Sequence, residues 1–264
     1  VTVRWASYAA LGDSFSEGLW DFADDDVDAD RQDRAVRGWT DRLAQILSER
    51  RTAEGHDPLR YANLAIRGRL LRPIVVEQVP TALAMRPDLV SLVGGGNDLL
   101  RLDADPDRLA RRLETAVVQL REAGSDVLLA TGMDSHRTPL MRHTRSRVAV
   151  FNTHIWSMAR RHGAYVVDLW GMGVLRDWSM WDDDRLHLTS DGHRLVADAA
   201  LVALGLDPQR DDWCDPAPVP VRAGLAADAR WVRDHVAPWV NRHLHGRSSG
   251  DGRTGKRPHL DPLP

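Results

Sequence analysis

Ser14, Asp184 and His187 are residues whose types and spacing could do chemistry together. A serine hydroxyl is a weak nucleophile until a base takes its proton, and an imidazole is that base when a carboxylate holds its tautomer. Two residues separate Asp184 from His187, so one tight turn can present the carboxylate to one ring nitrogen and leave the other free to face Ser14. Asp182 and Asp183 compete for the acidic role, but their offset from His187 suits such a turn less well. Donors for an oxyanion are also available: the backbone N–H groups of Ser14 and Gly68 and the side-chain amide of Asn97, with glycine at 68 allowing close approach to developing charge. The set is complete for acyl transfer. Each member also has a plainer reading: Ser14 and Asn97 as turn residues, His187 as one of 11 histidines and a helix cap.

Short apolar runs alternate with longer stretches of helical period, which predicts an α/β fold with a parallel sheet covered by helices. The expected strands are Tyr8 to Leu11, Tyr61 to Ala65, Leu89 to Val93, Asp126 to Ala130 and Tyr165 to Leu169. Leu43, Ile46 and Leu47 mark one helix face, and Leu71, Val75 and Val79 another. Asp105, Pro106 and a stripe of Leu109, Leu113, Val117 and Leu120 ending at Gly124 mark a third helix. Arg147 to His162 predicts a further helix, and a last one starts at Thr189 or Ser190 and stops at Gly205. In open parallel sheets ligands collect at the carboxyl ends of strands. Gly12-Asp13-Ser14, Asn63 to Gly68 and Gly96-Asn97-Asp98 each follow a strand, and Asp184 to His187 precedes the last helix.

In this order, Gly12-Asp13-Ser14, Gly68, Gly96-Asn97-Asp98 and Asp184-x-x-His187 resemble the four sequence blocks of the SGNH (GDSL) hydrolase family, over Tyr8 to about Gly205. The resemblance implies a three-layer α/β/α, flavodoxin-like fold around a five-stranded parallel sheet, and an esterase or lipase-type hydrolase of carboxylic esters. It also implies Ser14 as nucleophile, Gly68 and Asn97 as oxyanion donors, Asp184 with His187 as base, a small-molecule ester as substrate, and no metal or organic cofactor. Two other readings are an acyltransferase using the same acyl-enzyme and a non-catalytic ligand-binding protein on the same fold. The window Gly12-Asp13-Ser14-Phe15-Ser16 lacks the Gly-x-Ser-x-Gly elbow of the α/β-hydrolases. Arg67 and Arg69 are unusual next to an oxyanion site, and Arg67 with Asp13 is expected to contact substrate. Trp178 and Trp181 lie in an aperiodic, Trp- and Met-rich stretch that serves as an acyl-side wall or as core filling.

Composition sets the outer bounds. The 264 residues are 43% hydrophobic and 28% charged, enough for one sizeable core. Lys plus Arg total 35 against 38 for Asp plus Glu, a net charge of -3 that disfavours nucleic acid as partner. A single cysteine, Cys214, excludes an intramolecular disulfide, and no apolar run is long enough for a membrane span. The residues Val1 to Leu11 read as a strand rather than a signal peptide, so a cytoplasmic setting is expected, although the first residue is not Met and a removed leader is compatible. Glycine runs lack a phosphate-cradling pattern, and the histidines lack a zinc motif. The expected organisation is a catalytic domain over 1–205, a proline-marked extension over 206–245 with a helix packed on the domain, and a disordered tail over 246–264.

Overall fold

The computed structural model describes residues 2–23, 30–31, 33–134, 141–215, 231, 233 and 249–263. Strand β1, Ser7–Gly12, is followed by a helical turn α1, Ser14–Glu17, and by helix α2, Gly38–Ala53. Strand β2, Arg60–Asn63, leads into a composite helix: α3, Leu71–Pro73, a π-helical turn Ile74–Gln78, and α4, Val79–Met85. The apolar four-residue spacing there indicated helix. Pro80 has no N–H to give the carbonyl four residues back, which accounts for the wider turn just before it. Then come β3, Leu89–Val93, the short α5, Gly96–Leu99, α6, Pro106–Glu122, and β4, Asp126–Ala130. Helix α7, Arg145–His162, strand β5, Tyr165–Val167, and helix α8, Ser190–Ala203, complete the main domain.

The anticipated caps are in place. Asp105 accepts from Arg108 N at 3.0 Å, and Thr189 caps α8 through Gly192 N at 3.4 Å. These satisfy amides that the first turn of a helix leaves without partners.

The sheet order is β5-β4-β3-β1-β2-β6, and β1 to β5 run parallel. Because β2 lies on one side of β1 and β3 on the other, the strand order reverses at β1, and a crevice opens there at the carboxyl ends. One apolar core joins α2 and α8 to the sheet through Trp39, Leu43, Leu47, Val196 and Leu201. The other joins α4, α6 and α7 through Val79, Leu113, Val117, Leu120 and Ile155. The result is three layers, with the five expected parallel strands in the middle.

The sixth strand is a correction. β6, Arg257–Pro262, pairs antiparallel with β2 at the sheet edge, where a disordered tail was expected from 246. Arg257-Pro-His-Leu-Asp-Pro offers little apolar surface, but an edge strand is held by backbone hydrogen bonds on one side and needs few buried side chains. Leu260 and Leu263 supply them, at 9% and 8% exposed. The helix expected in the extension, with Val232, Pro238 and Trp239, lies almost entirely outside the described residues; Trp231 is described and buried. Most of the acidic loop, 24–29, also lies outside them.

Candidate active site

Ser14 stands at the first position of α1, directly after β1. Gly12 makes this abrupt turn possible, since a Cβ there would fall 2.5 Å from Val93 O. Asp13 caps the turn, its Oδ1 accepting from Phe15 N at 3.1 Å. From the other end of the domain, the loop before α8 brings His187 Nε2 to 2.9 Å from Ser14 Oγ. On its other side His187 Nδ1 is 2.7 Å from Asp184 Oδ2. Residues 173 positions apart thus meet across the sheet's carboxyl edge.

Asp184 is the acid that the turn selects. Its Oδ1 accepts from Leu186 N at 2.9 Å and His187 N at 3.0 Å, and its Oδ2 accepts from His187 and from Trp20 Nε1 at 2.6 Å. Burial alone would raise the carboxyl, but the charge and hydrogen bond of His187 and these backbone donors hold it well below the usual carboxylate range. An ionised Asp184 can only accept, so Nδ1 of His187 carries the proton and Nε2 accepts from the Ser14 hydroxyl. Burial lowers the imidazole, yet Asp184, and behind it Asp13, outweigh burial and raise it above its ordinary value. Asp182 instead pairs with Arg31 at 2.8 Å, and Asp183 is exposed.

Gly68 lies in the loop after β2 with φ 72, a left-handed conformation in which a side chain would be strained. Asn97 lies in α5 after β3. Its Nδ2 donates to Asp13 Oδ2 at 3.2 Å and to Arg69 O at 3.1 Å, so both amide hydrogens are engaged. Ser14, Gly68, Asn97 and His187 border a cavity of about 520 Å³ whose walls include Phe151, Leu175, Trp178 and Trp181. The size is that of a small-molecule site. Trp181 is pinned by its Nε1 donating to Leu175 O at 2.7 Å, and the Arg185 guanidinium lies 5.2 Å from the Trp178 ring.

Residues 10–195 match the model of the GDSL-like lipase/acylhydrolase family. The chain belongs to this family. As a GDSL protein it is a serine ester hydrolase with a mostly parallel sheet between helical layers. Solved structures share the fold at low identity. TesA is 23% identical with a TM-score of 0.57, over 75% of this chain and 97% of that one. Axe2, an acetylxylan esterase from Geobacillus stearothermophilus, is 21% identical with a TM-score of 0.58, over 78% and 96%. The psychrotrophic esterase EstA from Pseudoalteromonas sp. is 16% identical with a TM-score of 0.56, over 76% and 97%. No curated protein sequence gives a significant match.

Two residues of this GDSL hydrolase expected to contact substrate, Arg67 and Asp13, border the cavity with their polar groups engaged by the protein. Arg67 borders the cavity but is 3% exposed, and its Nε and Nη2 donate to Glu17 Oε1 at 2.9 and 2.6 Å. A buried guanidinium is stable only when paired, and Glu17 neutralises it inside the protein. Asp13 commits both oxygens to Phe15 and Asn97, and burial pushes its carboxyl up to about 6. Both oxygens thus accept from protein donors at the cavity's edge. Three residues gave no signal in the sequence. Trp20, with φ 73, holds Asp184 from a turn 164 positions away, Trp231 Nε1 donates to Asp184 O at 2.6 Å, and Glu17 meets Arg67. Their partners are distant in sequence, and no local spacing reports such pairs.

Proposed function

We propose that the protein hydrolyses carboxylic esters of small-molecule substrates through an acyl-enzyme on Ser14. The observation that carries this reading is the continuous relay from Asp184 to His187 to Ser14, at 2.7 and 2.9 Å. His187 Nε2 takes the hydroxyl proton as Oγ attacks the ester carbonyl. The tetrahedral oxyanion is held by the N–H groups of Ser14 and Gly68 and by the Asn97 amide. The same proton passes to the leaving alkoxide, which departs as an alcohol. Water then attacks the acyl-enzyme with His187 as base, and the acid leaves as Ser14 is regenerated. Asp184 stays ionised throughout and stabilises the imidazolium, with Trp20 fixing its outer oxygen.

Asn97 enters this cycle by exchanging acceptors. A full negative charge is a stronger acceptor than the neutral carbonyl of Arg69, so the forming oxyanion draws one amide hydrogen to itself while Asp13 keeps the other. Asn97→Ala is expected to lower kcat by roughly 10²- to 10³-fold with KM little changed, as for loss of one oxyanion donor. Steady-state kinetics on an activated short-chain ester measure it, and a wild-type kcat would remove Asn97 from the hole.

The test of the whole reading is covalent labelling by a serine-directed phosphonate, followed by mass spectrometry of the modified peptide. Modification at Ser14, abolished in Ser14→Ala, is the expected result. An unlabelled protein that still binds esters would instead favour a non-catalytic role, and acceptor-dependent ester formation would favour acyl transfer. A cytoplasmic location belongs to the proposal too. The exposed, unbridged Cys214 suits a reducing compartment. Among the described residues no helix is long and apolar enough to cross a membrane.

A further inference from the structure

The bridge between Glu17 and Arg67 joins the two sides of the reaction centre. Glu17 ends the helical turn that Ser14 begins, and Arg67 immediately precedes Gly68. Besides the guanidinium contacts, Arg67 N donates to Glu17 Oε2 at 2.6 Å, so the carboxylate grips the oxyanion loop by both side chain and backbone. The nucleophile and an oxyanion donor are thus spaced through one buried ion pair.

The end of the chain closes on that pair from both sides. Lys256, the only lysine in the sequence, donates from Nζ to Glu17 O at 2.5 Å and to Val36 O at 3.1 Å, and also bonds Arg37 O and Asp41 Oδ2. It thereby ties the end of α1 to the start of α2. On the loop side, Gly250 passes so close that a Cβ on it would lie 2.1 Å from Arg67 O and 2.8 Å from Ile66 Cγ2. Gly255 packs as tightly, with a Cβ reaching 2.6 Å from Asn63 O. Ser249 reaches the cavity itself. β6 then fastens the segment to β2, the strand that leads into the oxyanion loop. Ser249, Gly250, Gly255, Lys256 and β6 lie beyond the family match, which ends at 195.

We propose that residues 249–263 form a clamp that sets the separation between the Ser14 hydroxyl and the Gly68 amide, with Lys256 and Gly250 as positioning residues acting through Glu17 and Arg67. The inference rests on the ester-hydrolase reading of the site. Transition-state stabilisation depends on the oxyanion donor being in place before attack, while ground-state binding in the cavity does not, so the clamp acts on kcat rather than KM.

The test uses the full chain carrying Lys256→Met, and Gly250→Ala as a second variant whose methyl group pushes against Arg67 O, with the buried Leu113→Ala on α6 as a control. Activity is measured well below the unfolding midpoint of each protein. The expected result for both clamp variants is a kcat about 10- to 100-fold lower with KM within about threefold of wild type, the scale of a misplaced catalytic group. Phosphonate labelling slows in parallel, and amide hydrogen exchange at Ile66, Arg67 and Gly68 becomes faster. Leu113→Ala lowers the melting temperature but keeps wild-type kcat, which separates positioning from general stability. The clamp is overturned if both variants keep wild-type kcat, or if exchange in the oxyanion loop is unchanged. A wild-type protein that neither turns over esters nor reacts with phosphonate sinks the hydrolase reading instead, and the exchange measurement then decides the clamp by itself.

Discussion

Ser14→Ala lowers kcat on an activated short-chain ester by about 10⁶-fold, the scale seen when the nucleophile of such a relay is deleted. Removing the hydroxyl removes the atom that forms the acyl bond, and nothing else at the site can replace it. His187 Nε2 loses its partner at 2.9 Å, and the carboxyl of the adjoining Asp13 is held by Phe15 N and Asn97. The residual rate comes from the oxyanion donors and from substrate binding. The substitution removes one oxygen atom at a residue that is 8% exposed, so the melting temperature stays close to that of the parent. Wild-type turnover in this variant would refute the mechanism.

Asp184→Asn is expected to lower kcat by about 10⁴-fold while the protein remains folded. The reason is a forced tautomer. The carboxylate receives Leu186 N and His187 N on one oxygen, and Trp20 Nε1 and His187 Nδ1 on the other. The two backbone donors belong to a fixed turn, so an amide there keeps its oxygen toward them and turns its NH₂ toward the imidazole. Nδ1 must then accept, the proton moves to Nε2, and Nε2 can no longer take the proton of Ser14. The same change moves the pH profile. His187 acts as base only when neutral, and with Asp184 present its pKa is raised above 6.5, so the acid limb of kcat/KM lies above that pH. Loss of the negative charge lets burial dominate, the imidazole pKa falls, and the limb moves to lower pH. A limb that stays in place in Asp184→Asn would mean that another group controls it.

How far these features could be read in advance follows from the range of the interactions behind them. The five parallel strands and the cap at Asp105 depend on period and on neighbours within one turn, and they stand where the apolar runs and punctuation placed them. Ser14, Asn97 and His187 were legible because each sits at a strand end or helix start, positions that chain order exposes. The pairing of Arg67 was not legible, because its charge is visible in the sequence and its partner, 50 positions earlier, is not. Trp20 was passed over for the same reason. β6 was hidden by composition: two prolines and two charged residues in six positions look unable to bury anything, yet backbone pairing with β2 asks little of side chains.

Those prolines have a further consequence. Unpaired β2 would offer a row of open N–H and C=O groups flanked by buried Tyr61 and Ala62, a template on which another chain could add a strand. β6 covers that row, and it carries exposed Pro258 and Pro262, which cannot donate, beside exposed His259 and Asp261. The last residues thus also guard the molecule against self-association through its sheet, and a protease that trimmed them would leave an adhesive margin behind.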